Sequence, residues 1–524
     1  MDIGERTPPL VAPVPGATPE ATPSKRAPVP RAGMAGAALV VAAGAVLRFW
    51  CRSDLWLDEA LTVNLARLPL SDLPDALRHD GSPPLYYVLL HAWTAQFGTG
   101  DVAVRGLSGV LGLASIPLAW LAGLRLGGRR VAAASLLLLA SSPFAVRYST
   151  EARMYGLVVL LTLVGYLALS AALERPSPLR LVAVGLTTGL LLLSHYWSLY
   201  LVAVVAGWLV LRARHAAGRA ARRCLVAMGG GGVLFLLWVP VFVFHLLHTG
   251  TPWARPPNAG AVVKPFEEFA GRGSAAAWLA LAFVLLFALG VLGRPVDRRR
   301  IELDLSGAGP ARPLAAVAAA TVGLGVVAGM LAGSGFAGRY AAVVLAPFLL
   351  VVAVGTTAFA DEGLRRGVLG AVVVLGLVSS GGNVAFERTQ AGEVAAAIER
   401  LATPGDVVAY CPDQLGPSVS RVLQADGLQQ VTFPDLAPPE RVDWVDYVDR
   451  ARARPPASFA ADVLGRAGPE GDVFVVGSSS YRVVGRRCQR VVTALEESRQ
   501  GVVRVRRDSD AFEGMTLTQF APGP

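Results

Sequence analysis

Two adjacent carboxylates, Asp58 and Glu59, sit in the segment Leu55-Trp56-Leu57-Asp58-Glu59-Ala60, immediately after an apolar stretch. Carboxylates beside apolar surface lose hydration unless partners or reacting groups hold them. In a dry pocket such a group takes a proton from a hydroxyl as that oxygen attacks an electrophile. The pair also suits a helix N-terminus, where acids complement the dipole and Asp58 could cap a helix starting at Glu59. Glu151 offers a second carboxylate, in Tyr148-Ser149-Thr150-Glu151-Ala152-Arg153-Met154-Tyr155. Flanked by Arg147 and Arg153 it can order a polar pocket; equally, the stretch can be an interfacial Tyr/Arg anchor with Thr150 capping a helix. Gly338-Arg339-Tyr340 places an arginine at the start of an apolar run. That arginine suits a lipid phosphate, and snorkelling also accounts for it. Lys264 is, with Lys25, one of two lysines among 48 basic residues, and reads as a solvated loop residue or a further cation. His195-Tyr196-Trp197 reads as part of an aromatic belt. His79-Asp80, before Gly81-Ser82-Pro83-Pro84, is either a metal pair or a turn, and the glycine and double proline demand a turn.

The elements that must position these residues are set by composition. The chain is 53% hydrophobic and 16% charged, against about 25% charged in an average soluble domain. Apolar stretches recur from Gly33 to about Gly382, and residues 388–524 read as a soluble appendage. The expected organisation is a tail at 1–32, a membrane domain at 33–387 and a globular domain at 388–524. Eight prolines and no apolar core mark residues 1–32 as a disordered cytoplasmic tail rather than a signal peptide. The net charge of +10 does not imply nucleic acid, because the excess arginine lies in short loops and no basic face is interleaved with aromatics. Four cysteines form neither a metal pattern nor a dense framework; Cys411 and Cys488 are either a disulfide or single thiols.

Eleven segments are apolar enough to span: 33–50, 103–124, 131–147, 155–173, 179–194, 198–211, 224–246, 273–293, 313–333, 340–358 and 366–383. Pro84–Phe97 is shorter and carries His91 and Gln96. If it does not span, 17 arginines fall in the loops of one side and fewer basic residues in the others. The positive-inside rule then puts the N-terminus in the cytoplasm and loop 51–102, Glu151, Lys264, Arg339 and residues 388–524 outside the cell membrane. Pro84–Phe97 is accordingly interfacial or re-entrant. Ala60–Leu68 and Leu70–Leu77 have helical spacing, and amphipathic helices on the outer membrane face are expected there. In the terminal region Ala391–Leu401 and Gln414–Leu423 read as helices, and Asp406–Cys411, Gln430–Phe433 and Asp472–Gly477 as strands. This alternation predicts a small α/β domain. No glycine-rich phosphate fingerprint follows its first strand.

Three motifs in order, LWLDEA (Leu55–Ala60), SPPLYYVLLHAW (Ser82–Trp93) and SPFAVRYSTEARMYGL (Ser142–Leu157), resemble bacterial family 39 glycosyltransferases of the GT-C superfamily. The resemblance is strongest over 33–200 and implies an α-helical polytopic membrane protein with about 11 transmembrane helices and an extracytoplasmic α/β domain. It implies a polyprenyl-phosphate sugar donor in the surrounding membrane lipids, and a glycan, lipid or protein acceptor. Asp58 would be the catalytic base, with Glu59 supporting it or touching the acceptor. Arg105 matches a family arginine near the active site, and Glu151 and Arg153 match an acidic motif of the second external loop. Arg339, at Tyr340, would hold the donor phosphate, with Arg105 or Lys264 assisting. His79, Asp80, Tyr86 and His195 form a second tier. Many relatives carry a histidine where Ser82 stands, a departure from the family pattern that bears on any metal or hydrogen-bonding role of that position. A divalent metal, magnesium or manganese, is a candidate cofactor, since superfamily oligosaccharyl members use one and closer relatives do without. One base and a single displacement imply inversion at the anomeric carbon. A transporter or flippase of a lipid-linked substrate is the alternative class, though charges cluster at span ends and the second half does not repeat the first.

Overall fold

Each of the eleven apolar segments is helical in the computed structural model of the protein, which describes residues 31–214, 218–252, 254, 256–298, 300–305 and 309–522. The expected tail lies outside the described residues except for its last two, which open α1 (Arg31–Leu47). Three short helices follow: α2 (Leu57–Ala66), α3 (Leu73–Asp80) and α4 (Leu85–Phe97). α5 (Asp101–Ala140) leads through α6 (Pro143–Ser149) into α7 (Tyr155–Glu174), α8 (Pro178–Leu192) and α9 (Ser198–Ala213). α10 (Arg219–Leu236) and α11 (Val239–His248) are bent by 68° where they meet. Next come α12 (Lys264–Ala270), α13 (Ser274–Leu292), a small hairpin of β1 (Gly293–Pro295) and β2 (Ile301–Leu303), α14 (Arg312–Ala332), α15 (Ala342–Thr356) and α16 (Glu362–Ala385). Among the described residues six helices are long and apolar enough to cross a membrane, or seven if the bent pair is one span. Gly33–Leu47, α8 and α9 are shorter apolar helices.

α5 contains two of the segments in one run of 40 residues. Its backbone breaks at Gly127 and Gly128, and Gly128 has φ +76°, a conformation open to glycine at little cost. A Cβ on Gly123 would sit 2.6 Å from Ser135 Oγ and 2.8 Å from Ala132 Cα. The two halves therefore lie against each other and run antiparallel. The second half stops at Ala140, short of the expected 147. Ser142 Oγ accepts the Ala145 amide at 3.3 Å and Pro143 fills the first turn, which starts the separate helix α6.

The external helices correct one expectation. α3 is amphipathic, burying Leu73, Ala76 and Leu77, but eight of the ten residues of α2 are buried. α2 is packed between α4 and the C-terminal domain rather than laid on a membrane face. α4 has 13 residues, too few for the ~20 of a perpendicular span.

Beyond α16 lies a sheet domain. Its elements are α17 (Ala391–Leu401), β3 (Val407–Cys411), α18 (Gly416–Val422), β4 (Gln429–Thr432), α19 (Tyr447–Ala453), α20 (Pro456–Ala467), β5 (Val473–Gly477), α21 (Gly485–Glu496), β6 (Gly501–Val505) and β7 (Thr516–Phe520). The strand order is β4-β3-β5-β7-β6, with β3 parallel to β4 and β5, and β7 antiparallel to β5 and β6. Alternate residues serve two faces. Val407, Ala409, Val473 and Val475 pack on Phe459, Val463 and Val491, while Val408, Tyr410, Phe474 and Val476 pack on Val394, Ile398 and Leu415. Both faces are covered, so the central strands read as continuous apolar runs.

Cys411 at the end of β3 is disulfide-bonded to Cys488 of α21, closing a loop of 77 residues. Alkylation of the unfolded, unreduced protein is expected to label Cys51 and Cys224 and spare the other two. Replacing both bonded cysteines by serine is expected to destabilise the domain by about 2–4 kcal/mol. Four labelled thiols would show that the bond does not form.

Candidate active site

α2 begins at Leu57, two residues earlier than a cap at Asp58 would place it. Trp56 is its N-cap, with φ −78° and ψ 171° and no side-chain cap bond. Asp58 and Glu59 therefore both lie in the first turn, and adjacent helical residues point about 100° apart. Glu59 points into the protein, fully buried. Arg105 Nε donates to its Oε1 and Arg105 Nη2 to its Oε2, both at 2.7 Å. The Ala152 amide donates to Oε1 at 3.0 Å and Arg388 Nη1 to Oε2 at 3.5 Å. Burial pushes this carboxyl up, but Arg105 first, then Arg388 and the Ala152 amide, hold it below the usual glutamate range. Arg105 further donates to the carbonyls of Ser53 and Asp54, and Arg388 to the carbonyl and hydroxyl of Thr150. Thr150 ends α6 instead of capping a helix at Glu151, and α7 starts only at Tyr155. The expected catalytic pair is thus divided: Glu59 and Arg105 are engaged with each other inside the protein.

Asp58 lies on the other side of the turn. Its side chain is 17% exposed, and Oδ2 is 3.5 Å from Arg339 Nη2. The Arg339 guanidinium also lies 5.9 Å from the ring centroids of Trp56 and Tyr340. Arg339 helps line a polar cavity of about 110 Å³ with Arg147, Tyr148, Glu268, Arg272 and Phe512. Tyr148 donates to Glu268 at 2.7 Å across this space. Asp58 is not itself part of the cavity wall and adjoins it through Arg339.

Glu151 is fully buried with no hydrogen bond to either oxygen, and Arg147 Nε stands 3.8 Å away. Burial raises its carboxyl above the ordinary range, against the opposing pull of Arg147 and Arg388. Arg153 donates to the Thr62 hydroxyl at 2.8 Å and the Tyr87 hydroxyl at 3.3 Å, and Tyr87 donates to Asp80 at 2.6 Å. Thr62 in turn donates to the Asp58 carbonyl at 2.6 Å, so a bonded chain joins Asp80 to Asp58. Tyr86 bonds Ser108 at 2.7 Å behind this layer. His195 accepts the Trp197 amide and lies 5.2 Å from the Tyr340 ring. Burial, then Arg153 and Arg339, push it down to about 3, so it stands neutral at physiological pH.

Two expected residues are not brought to the site. Lys264 is exposed at the start of α12, whereas Glu268 and Arg272, a turn or more further on, reach the cavity. His79 pairs with Asp443 of the sheet domain at 2.9 Å. Among the described residues no group of three or more His, Cys, Asp or Glu side chains is placed to hold a metal ion. The arginine-rich lining of the cavity does not fit a divalent cation. The residues that motif reading missed are Arg388, Glu268, Arg272 and Phe512. Arg388 had a signal, as the first arginine after the last apolar segment; Phe512 had none.

A family model described as dolichyl-phosphate-mannose-protein mannosyltransferase matches residues 81–244. ArnT from Cupriavidus metallidurans in the apo state superposes with a TM-score of 0.61 at 14% identity, over 94% of this chain and 100% of that one. Its crystal structure bound to undecaprenyl phosphate gives 0.58 at 14% identity, over 95% and 100%. The chain has the GT-C fold. A comparison with curated protein sequences finds no match. The family match takes in Arg105, Glu151 and Arg153 and leaves Asp58 and Arg339 outside.

Removing one member of a buried ion pair costs about 3–5 kcal/mol. Glu59→Ala and Arg388→Ala are therefore expected to lower thermal stability sharply. Asp58→Asn, at a partly exposed pair, is expected to change it by about 1 kcal/mol or less. Matching melting curves for Glu59→Ala and Asp58→Asn would refute this division of roles.

Proposed function

We propose that the protein is an inverting glycosyltransferase, moving a hexosyl or pentosyl group from a polyprenyl-phosphate donor to an acceptor hydroxyl outside the cell membrane. The observation that carries this reading is the Asp58 carboxylate 3.5 Å from Arg339, at a cavity also lined by Arg147 and Arg272. A base and an anion-binding cluster then share one site. In the reaction the acceptor oxygen attacks the anomeric carbon while Asp58 takes its proton. The bond from the anomeric carbon to the phosphate oxygen breaks, and the electron pair leaves on the phosphate. Arg339, Arg147 and Arg272 stabilise that charge at short range. Phosphate is a good leaving group, so no general acid is assigned. One displacement inverts the anomeric configuration.

Glu59 acts in this scheme as a positioning residue through Arg105, Arg388 and Ala152. The outward orientation is supported by the arginine-rich loops and by the Cys411–Cys488 bond, since disulfides persist in oxidising compartments. The solved ArnT bound to undecaprenyl phosphate supports a polyprenyl phosphate as the lipid carrier.

Asp58→Asn is expected to reduce transfer from a polyprenyl-phosphate sugar by on the order of 10²–10⁴-fold with folding intact. Turnover by purified Asp58→Asn protein at the wild-type rate would remove Asp58 as the base. Arg339→Ala is expected mainly to raise the donor KM, by on the order of tenfold or more for a lost charge-assisted contact. An unchanged apparent affinity for the lipid donor would exclude Arg339 from phosphate binding.

A further inference from the structure

The sheet domain is bonded directly to the turn that carries Asp58. The contact is made by Ala511-Phe512-Glu513, in the loop between β6 and β7. Glu513 Oε1 accepts the Leu57 amide at 3.3 Å, and its Oε2 accepts the Thr389 hydroxyl at 2.6 Å. Leu57 is the first residue of α2, and its amide is one of the donors that a helix start leaves unpaired. The Trp56 N-cap supplies no side-chain acceptor, so the acceptor comes from a residue 456 positions away. The segment itself is held to the strand-like stretch after α16. The Glu513 amide donates to the Arg388 carbonyl at 2.8 Å, and the Gln390 amide to the Glu513 carbonyl at 3.3 Å.

Phe512 faces the cavity. Its ring stands edge-on to Trp56 with centroids 4.8 Å apart. The guanidinium groups of Arg147 and Arg272 lie 5.8 and 5.9 Å from its centroid. Ala511 and Glu513 on either side are buried, yet Phe512 is 43% exposed. An open aromatic face beside a cluster of cations matches a sugar phosphate, which has an anionic end and an apolar C–H face.

Resting on the glycosyltransferase reading, we propose that the 511–513 segment completes the catalytic site, Phe512 as a wall against the donor's sugar phosphate and Glu513 as the residue that positions Asp58. The sheet domain is then part of the active site and not only a module that steers acceptors. A carboxylate base must sit within hydrogen-bond reach of the attacking hydroxyl, and displacement by 1 Å is enough to lower a rate on the order of 10²-fold. Loss of the Glu513 acceptor frays the first turn of α2, which moves Asp58 and leaves the cavity's cations in place.

The test uses the full chain, with transfer from a polyprenyl-phosphate sugar and binding of undecaprenyl phosphate alone as separate readouts. Glu513→Ala is expected to lower kcat on the order of tenfold or more, with the donor KM within about twofold because no phosphate contact changes. Glu513→Gln keeps an acceptor oxygen and is expected to recover most of that loss. Phe512→Ala is expected to raise the donor KM about tenfold, with Phe512→Tyr, which keeps the ring, staying near wild type. Hydrogen exchange across residues 55–61 is expected to quicken in Glu513→Ala and not in Phe512→Ala. Wild-type kinetics in both alanine variants overturn the proposal, as does a Glu513→Gln variant as slow as Glu513→Ala or unchanged exchange in Glu513→Ala. A wild-type protein that transfers no sugar from any polyprenyl-phosphate donor overturns the glycosyltransferase reading itself. Altered exchange in Glu513→Ala would then still record the hold of Glu513 on α2, which separates the two failures.

Discussion

A fully buried carboxylate has to be compensated, and the arrangement around Glu59 is how this protein does it. Two guanidinium groups and one backbone amide converge on its two oxygens. They come from α5, from the loop after α6 and from the stretch after α16, while Glu59 itself rides on α2. Four segments distant in sequence are thereby fixed at one point. Leaving any member unpaired would strand a charge in a poorly hydrated interior, at several kcal/mol. Arg388 extends the same constraint to the sheet domain, because its carbonyl accepts the Glu513 amide and Glu513 in turn holds the start of α2. The loop that carries Asp58 is therefore fastened from both the membrane side and the domain side.

That fastening lets two neighbouring acids do different work. A helix turns about 100° per residue, so the turn that buries Glu59 aims Asp58 elsewhere, toward Arg339. The buried acid determines where α2 sits, and the partly exposed one faces the cation cluster. In the proposed reaction the Asp58 carboxylate needs support from residues with locked conformations, and the next residue in the chain supplies part of it.

Much of this architecture was legible in the chain. Apolar length located the eleven helical segments, and the helix at Ala391–Leu401 falls where its periodicity placed it. The charge bias across loops kept Pro84–Phe97 out of the list of spans; in the structure α4 is a 13-residue helix packed on α2 and α5. What spacing could not reveal is which charges meet. Arg105 and Lys264 looked equally able to serve an anion, yet Arg105 is consumed by Glu59, and the cations at the cavity are Arg147, Arg272 and Arg339. Each such pairing joins residues tens to hundreds of positions apart, and local pattern carries no information about it. Asp58 read as a cap because acids favour helix starts, but the acceptor for the first amide of α2 comes from Glu513. The amphipathic reading of α2 failed for a related reason: its second face is covered by a domain more than 300 residues later.

Two buried glutamates near the same cations end up with opposite proton affinities, and the difference shapes the site's charge. Glu59 receives donors on both oxygens and is held ionised. Glu151 receives none, and burial outweighs the pull of Arg147 and Arg388, so its carboxyl is driven toward the protonated form. The acids that line or adjoin the cavity, Glu268 and Asp58, are fewer than its three arginines. Arg105 is matched by Glu59, whereas Arg147, Arg272 and Arg339 face the cavity together with Glu268, and Asp58 beside it. An anion held at short range among these arginines is attracted more strongly than one at an exposed, screened surface. A phosphate entering the cavity would meet them directly and draw Arg339 away from Asp58. On the proposed glycosyl transfer, the carboxylate would then lose its counter-charge as an acceptor hydroxyl surrenders its proton, so that donor binding and base activation are coupled.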